Sequence, residues 1–166
     1  KYQLLFSGKN YLHILDRNGN YVERYPVKLR SPSTNSLALF DYDNNRSYRL
    51  FIAGEDKQIY SYDIEGNAVK GWKPFKTAGV VQTEISWFRI SGKDYLVVSD
   101  NITLYFLDRT GNIRLGLKEP VAMAPGSEIR LFTGQQQALV LSSPDGGVEI
   151  VGFDGKVTKL SLGKFG

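Results

Sequence analysis

The sequence predicts an all-β fold: a β-propeller, or part of a larger one, with about four blades of four antiparallel strands and an incomplete first blade. Apolar and polar residues alternate with period two, and no capped segment of period 3.6 reaches helical length. A hairpin pattern, in which two alternating runs flank a glycine turn, also recurs along the chain. It occurs at Tyr11–Tyr25, Ile59–Trp72 and Leu104–Leu117 and, in a more degenerate form, at Val148–Leu162. Its turn glycines are Gly19, Gly66, Gly111 and Gly155, and a period of about 40–50 residues with several strands per repeat is typical of propellers.

The first repeat covers approximately residues 1–30 and contributes three predicted strands. We expect these strands at Tyr2–Ser7, Tyr11–Leu15 and Tyr21–Tyr25. Gly19 is the turn residue expected to take a positive φ, because it has no Cβ. Pro26 is expected either to end the third strand or to mark an edge strand, since proline cannot donate to a ladder. The turn-rich segment Ser31–Asn35 then serves as the crossover to the next repeat.

The other three repeats each contain four predicted strands and cover approximately residues 36–77, 84–121 and 127–163. The strands are expected at Leu37–Tyr42, Tyr48–Gly54, Gln58–Tyr62, Ala68–Trp72, Glu84–Arg89, Asp94–Ser99, Thr103–Leu107, Ile113–Leu117, Glu128–Phe132, Ala138–Ser142, Val148–Val151 and Val157–Leu162. Residues 1–166 are thus predicted to be a single propeller region that lacks the first strand of its first blade. An uncovered inner strand invites pairing with another chain. We therefore expect either a larger propeller or self-association in which a second copy covers the gap.

Composition and charge restrict the class of partner. The 42% hydrophobic content argues against disorder, and the net charge of +4 arises from interspersed signs rather than a basic cluster, so we predict no nucleic-acid partner. The absence of cysteine excludes disulfides and thiolate metal sites and fits an exported or a cytosolic protein. No apolar run is long enough to span a membrane. Because residue 1 is lysine and no signal-like segment follows, we expect a processed product or a piece of a longer chain.

The loop from Asp41 to Arg49 has a metal-like spacing. Asp41, Asp43 and Asn45 alternate in a way that could direct successive oxygens around a hard cation such as calcium. The spacing resembles the loops of FG-GAP and related bacterial propeller repeats, which carry Asp-x-Asp-x-Asp-Gly-x-x-Asp. Arg49 stands where the closing carboxylate belongs, and its guanidinium could replace the metal by pairing with Asp41 or Asp43. Two interpretations stay open: a calcium site, or a metal-free structural turn.

Three aspartates, Asp16, Asp63 and Asp108, recur at one position of successive repeats. This repetition indicates that each carboxylate builds its turn by accepting backbone N–H groups, rather than acting in acid–base catalysis. The turns, together with strands such as IYSY before Asp63 and LYFL before Asp108, resemble the blades of PQQ-like and BamB-like bacterial propellers, which are similar to WD40 blades. In the quinoprotein dehydrogenases of that superfold, the resemblance implies a calcium ion, a tryptophan platform for the quinone and a carboxylate base.

The aromatic residues Trp72, Phe75 and Trp87 are the candidate binding residues. No adjacent cluster of acids and amides marks a quinone site beside either tryptophan, so a platform for sugars or peptide segments is the functional interpretation, and blade packing is the alternative. His13, the only histidine, has no second histidine or cysteine with which to bind zinc. The sequence therefore shows no catalytic residues.

The favoured function is a non-enzymatic scaffold for protein–protein or glycan interaction in an exported bacterial protein, in the periplasm, in the cell envelope or secreted. One alternative is part of a quinoprotein-like enzyme whose active site lies outside this stretch. The other is a calcium-stabilised, FG-GAP-like adhesion module built on the Asp41–Asn45 loop. No cofactor is expected apart from calcium in this last case. Fold alone does not choose among the three.

Overall fold

The structure, a computed structural model that describes residues 3–161, contains antiparallel sheets of consecutive strands joined by turns and loops. One sheet has three strands and three sheets have four, which confirms the predicted all-β fold with an incomplete first repeat. The predicted strand positions Tyr2 and Leu162, and the chain end at Gly166, lie outside the described residues. The described residues contain no helix, and hence none that could cross a membrane.

The strands follow one another in space as they do in sequence. Sheet 1 contains β1 (Gln3–Ser7), β2 (Tyr11–Asp16) and β3 (Val27–Lys28), and sheet 2 contains β4 (Ala38–Phe40), β5 (Arg49–Ala53), β6 (Gln58–Tyr62) and β7 (Phe75–Lys76). Sheet 3 contains β8 (Ser86–Ile90), β9 (Lys93–Ser99), β10 (Leu104–Leu107) and β11 (Ile113–Leu115), and sheet 4 contains β12 (Arg130–Thr133), β13 (Gln137–Ser142), β14 (Val148–Gly152) and β15 (Val157–Leu160).

The outermost strand of sheet 1 differs from the prediction of a strand over Tyr21–Tyr25. Tyr21 forms only an isolated bridge, and the backbone N–H of Tyr25 donates to the carbonyl of Val22 at 3.0 Å. This tight turn requires a positive φ, 73°, at Arg24. The ladder resumes as β3 after Pro26, so the proline does not end the outer strand but interrupts it at the edge of the sheet, which was the other predicted outcome.

Sheet 2 repeats this interruption and so corrects the predicted strand over Ala68–Trp72. Ala68 forms an isolated bridge, and the N–H of Trp72 donates to the carbonyl of Val69 at 3.2 Å. Gly71 holds the positive φ of 87°, and the strand resumes as β7. Since a turn of this kind needs one left-handed residue, alternation alone could not reveal it.

The chain divides into two compact parts, Lys1–Ile85 and Ser86–Gly166. In the first part, Leu12 and Ile14 of sheet 1 pack with Leu50 and Ile52 of sheet 2 in one buried cluster. The second part has an equivalent core: Val97, Leu104 and Phe106 of sheet 3 are buried with Leu139, Leu141 and Val151 of sheet 4. In each part, burial of apolar surface between two neighbouring sheets supplies the main stabilisation.

Candidate functional site

A buried aspartate on sheet 3 gathers three large side chains around it. One carboxylate oxygen of Asp94 accepts from the Trp87 indole N–H at 2.8 Å and from Nε of Arg89 at 2.9 Å. The other oxygen accepts from Nε of Arg109 at 2.6 Å and from Nη2 of Arg89 at 3.3 Å. β8 supplies Trp87 and Arg89, the adjacent β9 supplies Asp94 directly opposite Arg89, and the turn after β10 supplies Arg109. We call these four residues the Asp94 cluster.

The environment of Asp94 keeps its carboxylate ionised. Burial opposes ionisation, but hydrogen bonds from Arg89, Trp87 and Arg109 outweigh it, so the pKa of Asp94 lies below its usual range. The carboxylate side chain is only 8% exposed, whereas the side chains of Arg89 and Arg109 are 43% and 35% exposed. The anion is therefore enclosed, and the two cations extend from it towards solvent.

The Asp94 cluster holds its arginines in fixed positions. The Arg89 guanidinium lies 5.4 Å from the centre of the Trp87 ring, a cation–π contact that adds to the salt bridge. The salt bridges to Asp94 orient both guanidiniums while their side chains stay part-exposed. A surface of this kind can bind a carboxylate without a large ordering cost.

The other two predicted binding aromatics lie in the first compact part. The Trp72 indole N–H donates to the carbonyl of Ile59 at 2.9 Å, and its ring packs edge-on against the buried Phe51 ring, with 5.1 Å between their centres. Phe75 is half-buried on β7, where it pairs with Ile59. The contacts of Trp72 lie within its own sheet. A ligand platform at Trp72 and Phe75 stays a prediction.

In the Asp41 loop, the side-chain oxygens of Asp41 and Asn45 accept hydrogen bonds from the backbone of the loop itself. The two carboxylate oxygens of Asp41 accept from the N–H groups of Asn45 at 3.1 Å and Arg46 at 2.9 Å. The side-chain oxygen of Asn45 accepts from the N–H of Ser47 at 2.9 Å, and Asp43 is exposed. These bonds describe a self-contained turn. A calcium site at Asp41, Asp43 and Asn45 stays a prediction.

Arg49, which replaces the closing carboxylate of the calcium pattern, donates from Nη1 to the Ser47 hydroxyl and to the Tyr48 carbonyl, each at 3.1 Å. It therefore supports the loop backbone. Among the described residues, no group of three or more histidine, cysteine, aspartate or glutamate side chains is placed to hold a metal ion.

The recurring aspartates build turns, as their repetition predicted. Asp16 accepts the N–H groups of Asn18 and Asn20 at 2.8 and 3.0 Å, and Asp63 accepts that of Asn67 at 2.8 Å. At Asp108, burial opposes ionisation, but hydrogen bonds from Thr110 and the neighbouring backbone outweigh it and lower the pKa. Each of these carboxylates is thus engaged by its own turn.

Several solved structures of propellers are similar to this chain. One is BBS1N in complex with ARL6DN, with a TM-score of 0.63 at 16% identity over 98% of this chain and 50% of that chain. Another is BamB from Moraxella catarrhalis, with a TM-score of 0.64 at 13% identity over 97% and 46%. A third is the WD40 domain of Neurospora crassa Pan2, with a TM-score of 0.56 at 16% identity over 95% and 48%. The chain has the β-propeller fold. Each of its sheets is one blade.

The comparisons extend to the fold and no further. Identities of 13 to 16% show the fold alone, and this chain spans about half the length of the solved structures it matches. No family model matches the sequence, and no curated protein matches it. The predicted resemblance to BamB-like and WD40-like propellers is confirmed at the level of fold.

Sequence reasoning identified Trp87 but missed its three partners. Strands predicted at Glu84–Arg89 and Asp94–Ser99, joined by a short turn, already bring Arg89 near Asp94, and this was the available signal. Arg109 enters the cluster from a turn beyond the next strand, so only the folded register brings it there.

Proposed function

We propose that this chain is a non-enzymatic propeller scaffold of an exported bacterial protein, and that it binds an acidic segment of a partner protein at Trp87, Arg89 and Arg109. The observation that supports this function is the Asp94 cluster, in which one enclosed carboxylate orients a tryptophan and two part-exposed arginines. Tryptophan and arginine are the side chains most enriched among residues that dominate binding energy at interfaces.

The chemistry of the cluster favours a carboxylate-bearing partner. A guanidinium matches a carboxylate in shape and donates two parallel hydrogen bonds to it. Because Asp94 already holds Arg89 and Arg109 in place, a partner avoids part of the entropy cost of ordering two long side chains. The net charge of +4 adds a weak long-range attraction for acidic segments.

The similar structures support a binding role of this kind. BBS1N was solved in complex with ARL6DN, so a propeller of similar fold binds a protein there. The proposed exported bacterial location rests on the sequence resemblance to BamB-like propellers, and the fold shared with BamB from Moraxella catarrhalis is compatible with it. Fractionation of the source organism tests that location, and recovery of the chain in the cytosolic fraction would contradict it.

Selection from a random peptide display library on the immobilised chain tests the binding function. We expect the selected peptides to be enriched in aspartate and glutamate, and their affinity to fall as salt is raised. Arg89→Gln and Arg109→Gln should each weaken a selected peptide about tenfold, in line with the loss of a charge-assisted hydrogen bond. Arg130→Gln is the matched control, because Arg130 is 80% exposed on sheet 4 and pairs with the exposed Glu128.

Several results would overturn the proposal. Selected peptides without acidic residues, or equal affinities for the wild type and both cluster variants, would exclude the guanidinium pair as the binding site. Binding of a neutral glycan on an array, lost in Trp87→Ala, would replace the protein partner with a sugar. Thermal melts of each variant show whether the fold is kept.

A further inference from the structure

Sheet 1 has an exposed apolar face. The side chains of this face come from alternate positions of β1 and β2 and from one residue beyond the turn that follows β2. We call them the open face of sheet 1: Leu4, Phe6, Tyr11, His13, Leu15 and Tyr21. Leu4 is 59% exposed, Tyr21 51%, Tyr11 41% and Phe6 39%. An exposed patch of this many large apolar side chains is typical of an interaction surface.

The aromatic rings of this face form an ordered group. The rings of Phe6 and His13 stack nearly parallel, at 7°, with 4.7 Å between their centres. Nδ1 of His13 and the Tyr21 hydroxyl share a hydrogen bond of 3.0 Å, and the Tyr11 ring flanks His13 at 6.4 Å. The contact surface is therefore already arranged before a partner arrives.

The internal repeat shows what covers the equivalent of the open face of sheet 1 in sheet 2. When the turn glycines Gly19 and Gly66 are aligned, the pair Phe6–His13 corresponds to Ile52–Tyr60 of sheet 2, and Leu4 corresponds to Leu50. Leu50 is 0% exposed and Ile52 is 1% exposed, because sheet 1 packs against them through Leu12 and Ile14. In sheet 2, the face that corresponds to the open face of sheet 1 is thus covered by the other face of sheet 1, which carries Leu12 and Ile14.

The second compact part obeys the same rule. In sheet 4, Leu139 and Leu141 occupy the positions of Leu4 and Phe6 and are 0% and 2% exposed. The face that covers them belongs to sheet 3 and includes Leu104 and Phe106, which correspond to Leu12 and Ile14. In each compact part, therefore, the face equivalent to Leu12 and Ile14 covers the face of the next sheet that is equivalent to Leu4 and Phe6.

Sheet 4 has an exposed face that is equivalent to the covering face of sheet 1, the one with Leu12 and Ile14. Val148 and Ile150 correspond to Leu12 and Ile14 when Gly155 is aligned with Gly19. These side chains are half-buried. On the same face, Phe132 is 57% exposed and Leu160 is 48% exposed. We call this the open face of sheet 4: Phe132, Val140, Val148, Ile150 and Leu160.

We propose that the open face of sheet 1 binds the open face of sheet 4 of a second copy of this chain, in the same manner in which sheet 1 covers sheet 2 and sheet 3 covers sheet 4. The contact is heterologous, since two different surfaces meet, and it either closes between two copies or continues into longer assemblies. Two copies together also supply a length comparable to the solved propellers that the chain matches. This proposal is independent of peptide binding at the Asp94 cluster.

Light scattering coupled to size exclusion, run over a range of protein concentrations, tests the assembly. We expect the wild type to have a mass of two chains or a higher multiple. Leu4→Glu on sheet 1 and Phe132→Glu on sheet 4 should each weaken assembly at least about tenfold, because either change places a carboxylate in an apolar contact. Both positions are more than half exposed, so the fold should tolerate the charge, as circular dichroism can verify. Ile102→Glu, at a 46% exposed position in the turn before β10, is the matched control and should keep the wild-type mass.

Mixing the two variants gives the decisive result. Each variant retains one intact face, so an equimolar mixture should form a dimer of one copy of each at a protein concentration at which either variant alone is monomeric. A wild type that stays monomeric at all concentrations would overturn the proposal, as expected if a sheet from outside these residues covers the face. Assembly that only Leu4→Glu disrupts, or that neither variant disrupts, would also overturn it.

Discussion

Three equivalent turns provide a graded test of how closely the sheets approach each other. Gly19, Gly66 and Gly155 occupy the same turn position with φ of 81°, 82° and 81°, so substitution by alanine imposes the same backbone strain at each. Their surroundings differ. A Cβ at Gly19 would have no atom within 4 Å, one at Gly66 would lie 2.5 Å from a methyl of Val27, and one at Gly155 would lie 2.5 Å from the carbonyl oxygen of Gly116.

The expected costs follow from these contacts. A side chain in the left-handed region costs about 1 kcal/mol, and this is the whole expected effect of Gly19→Ala. Gly66→Ala should cost about 2 kcal/mol, because the Val27 side chain must also leave its preferred rotamer. For Gly155→Ala we expect about 3 kcal/mol, since the obstacle is backbone that must shift. Urea unfolding followed by circular dichroism measures the free energy of unfolding of each variant.

The order of the three values carries the test. Equal losses for all three variants would mean that strain at φ alone determines the cost and that the close approaches are absent in solution. A loss at Gly19 larger than that at Gly155 would contradict the arrangement of the sheets around these turns.

Three further predictions concern Asp94, Asn35 and the Asp41 loop. Asp94→Asn should lower the free energy of unfolding by about 2 kcal/mol at neutral pH, less than for a fully buried pair because the arginines regain water, and the exposed control Glu128→Gln should change it little. Since folding lowers the pKa of Asp94, its stabilisation is complete above the usual carboxylate range and is lost as the pH falls through the lowered value. The stabilities of the two proteins should therefore begin to converge below about pH 4 and meet only below the lowered pKa. Asn35→Ala should cost about 2 kcal/mol in urea unfolding, because its amide joins the N–H of Ala53 at 2.8 Å to a backbone carbonyl at 3.1 Å; a loss under 0.5 kcal/mol would contradict those bonds. Millimolar calcium should leave the melting temperature unchanged, whereas a rise that Asp43→Ala abolishes would establish the calcium site.

Much of the fold could be read from the sequence because its signals are local. Alternation and turn glycines gave the number of strands, their grouping and the short first sheet, and β6 begins and ends where predicted, at Gln58 and Tyr62. The interruptions of the outer strands of sheets 1 and 2 could not be predicted from alternation, because each depends on a positive φ at a single residue. In sheet 1 that residue is Arg24, which is not glycine, so residue type gave no signal either.

The candidate site was predictable only in part. Trp87 was found from its residue type, but the Asp94 cluster depends on register between β8 and β9 and on a turn beyond β10. The open face of sheet 1 was hidden for a different reason. Leu4 and Phe6 alternate with Leu5, so both faces of the strand read as buried, and only the structure shows which face lacks a neighbour.

The sequential order of strands in every sheet also bears on how the protein forms. Within residues 3–161, each strand pairs with the strand immediately before or after it in the chain, so none of these strands has to wait for a distant segment. The entropy lost in closing each loop is correspondingly small, and β-proteins with such local contacts fold faster than those with long-range pairings. On the ribosome, sheet 1 could assemble as soon as β3 emerges and then serve as the surface on which sheet 2 condenses.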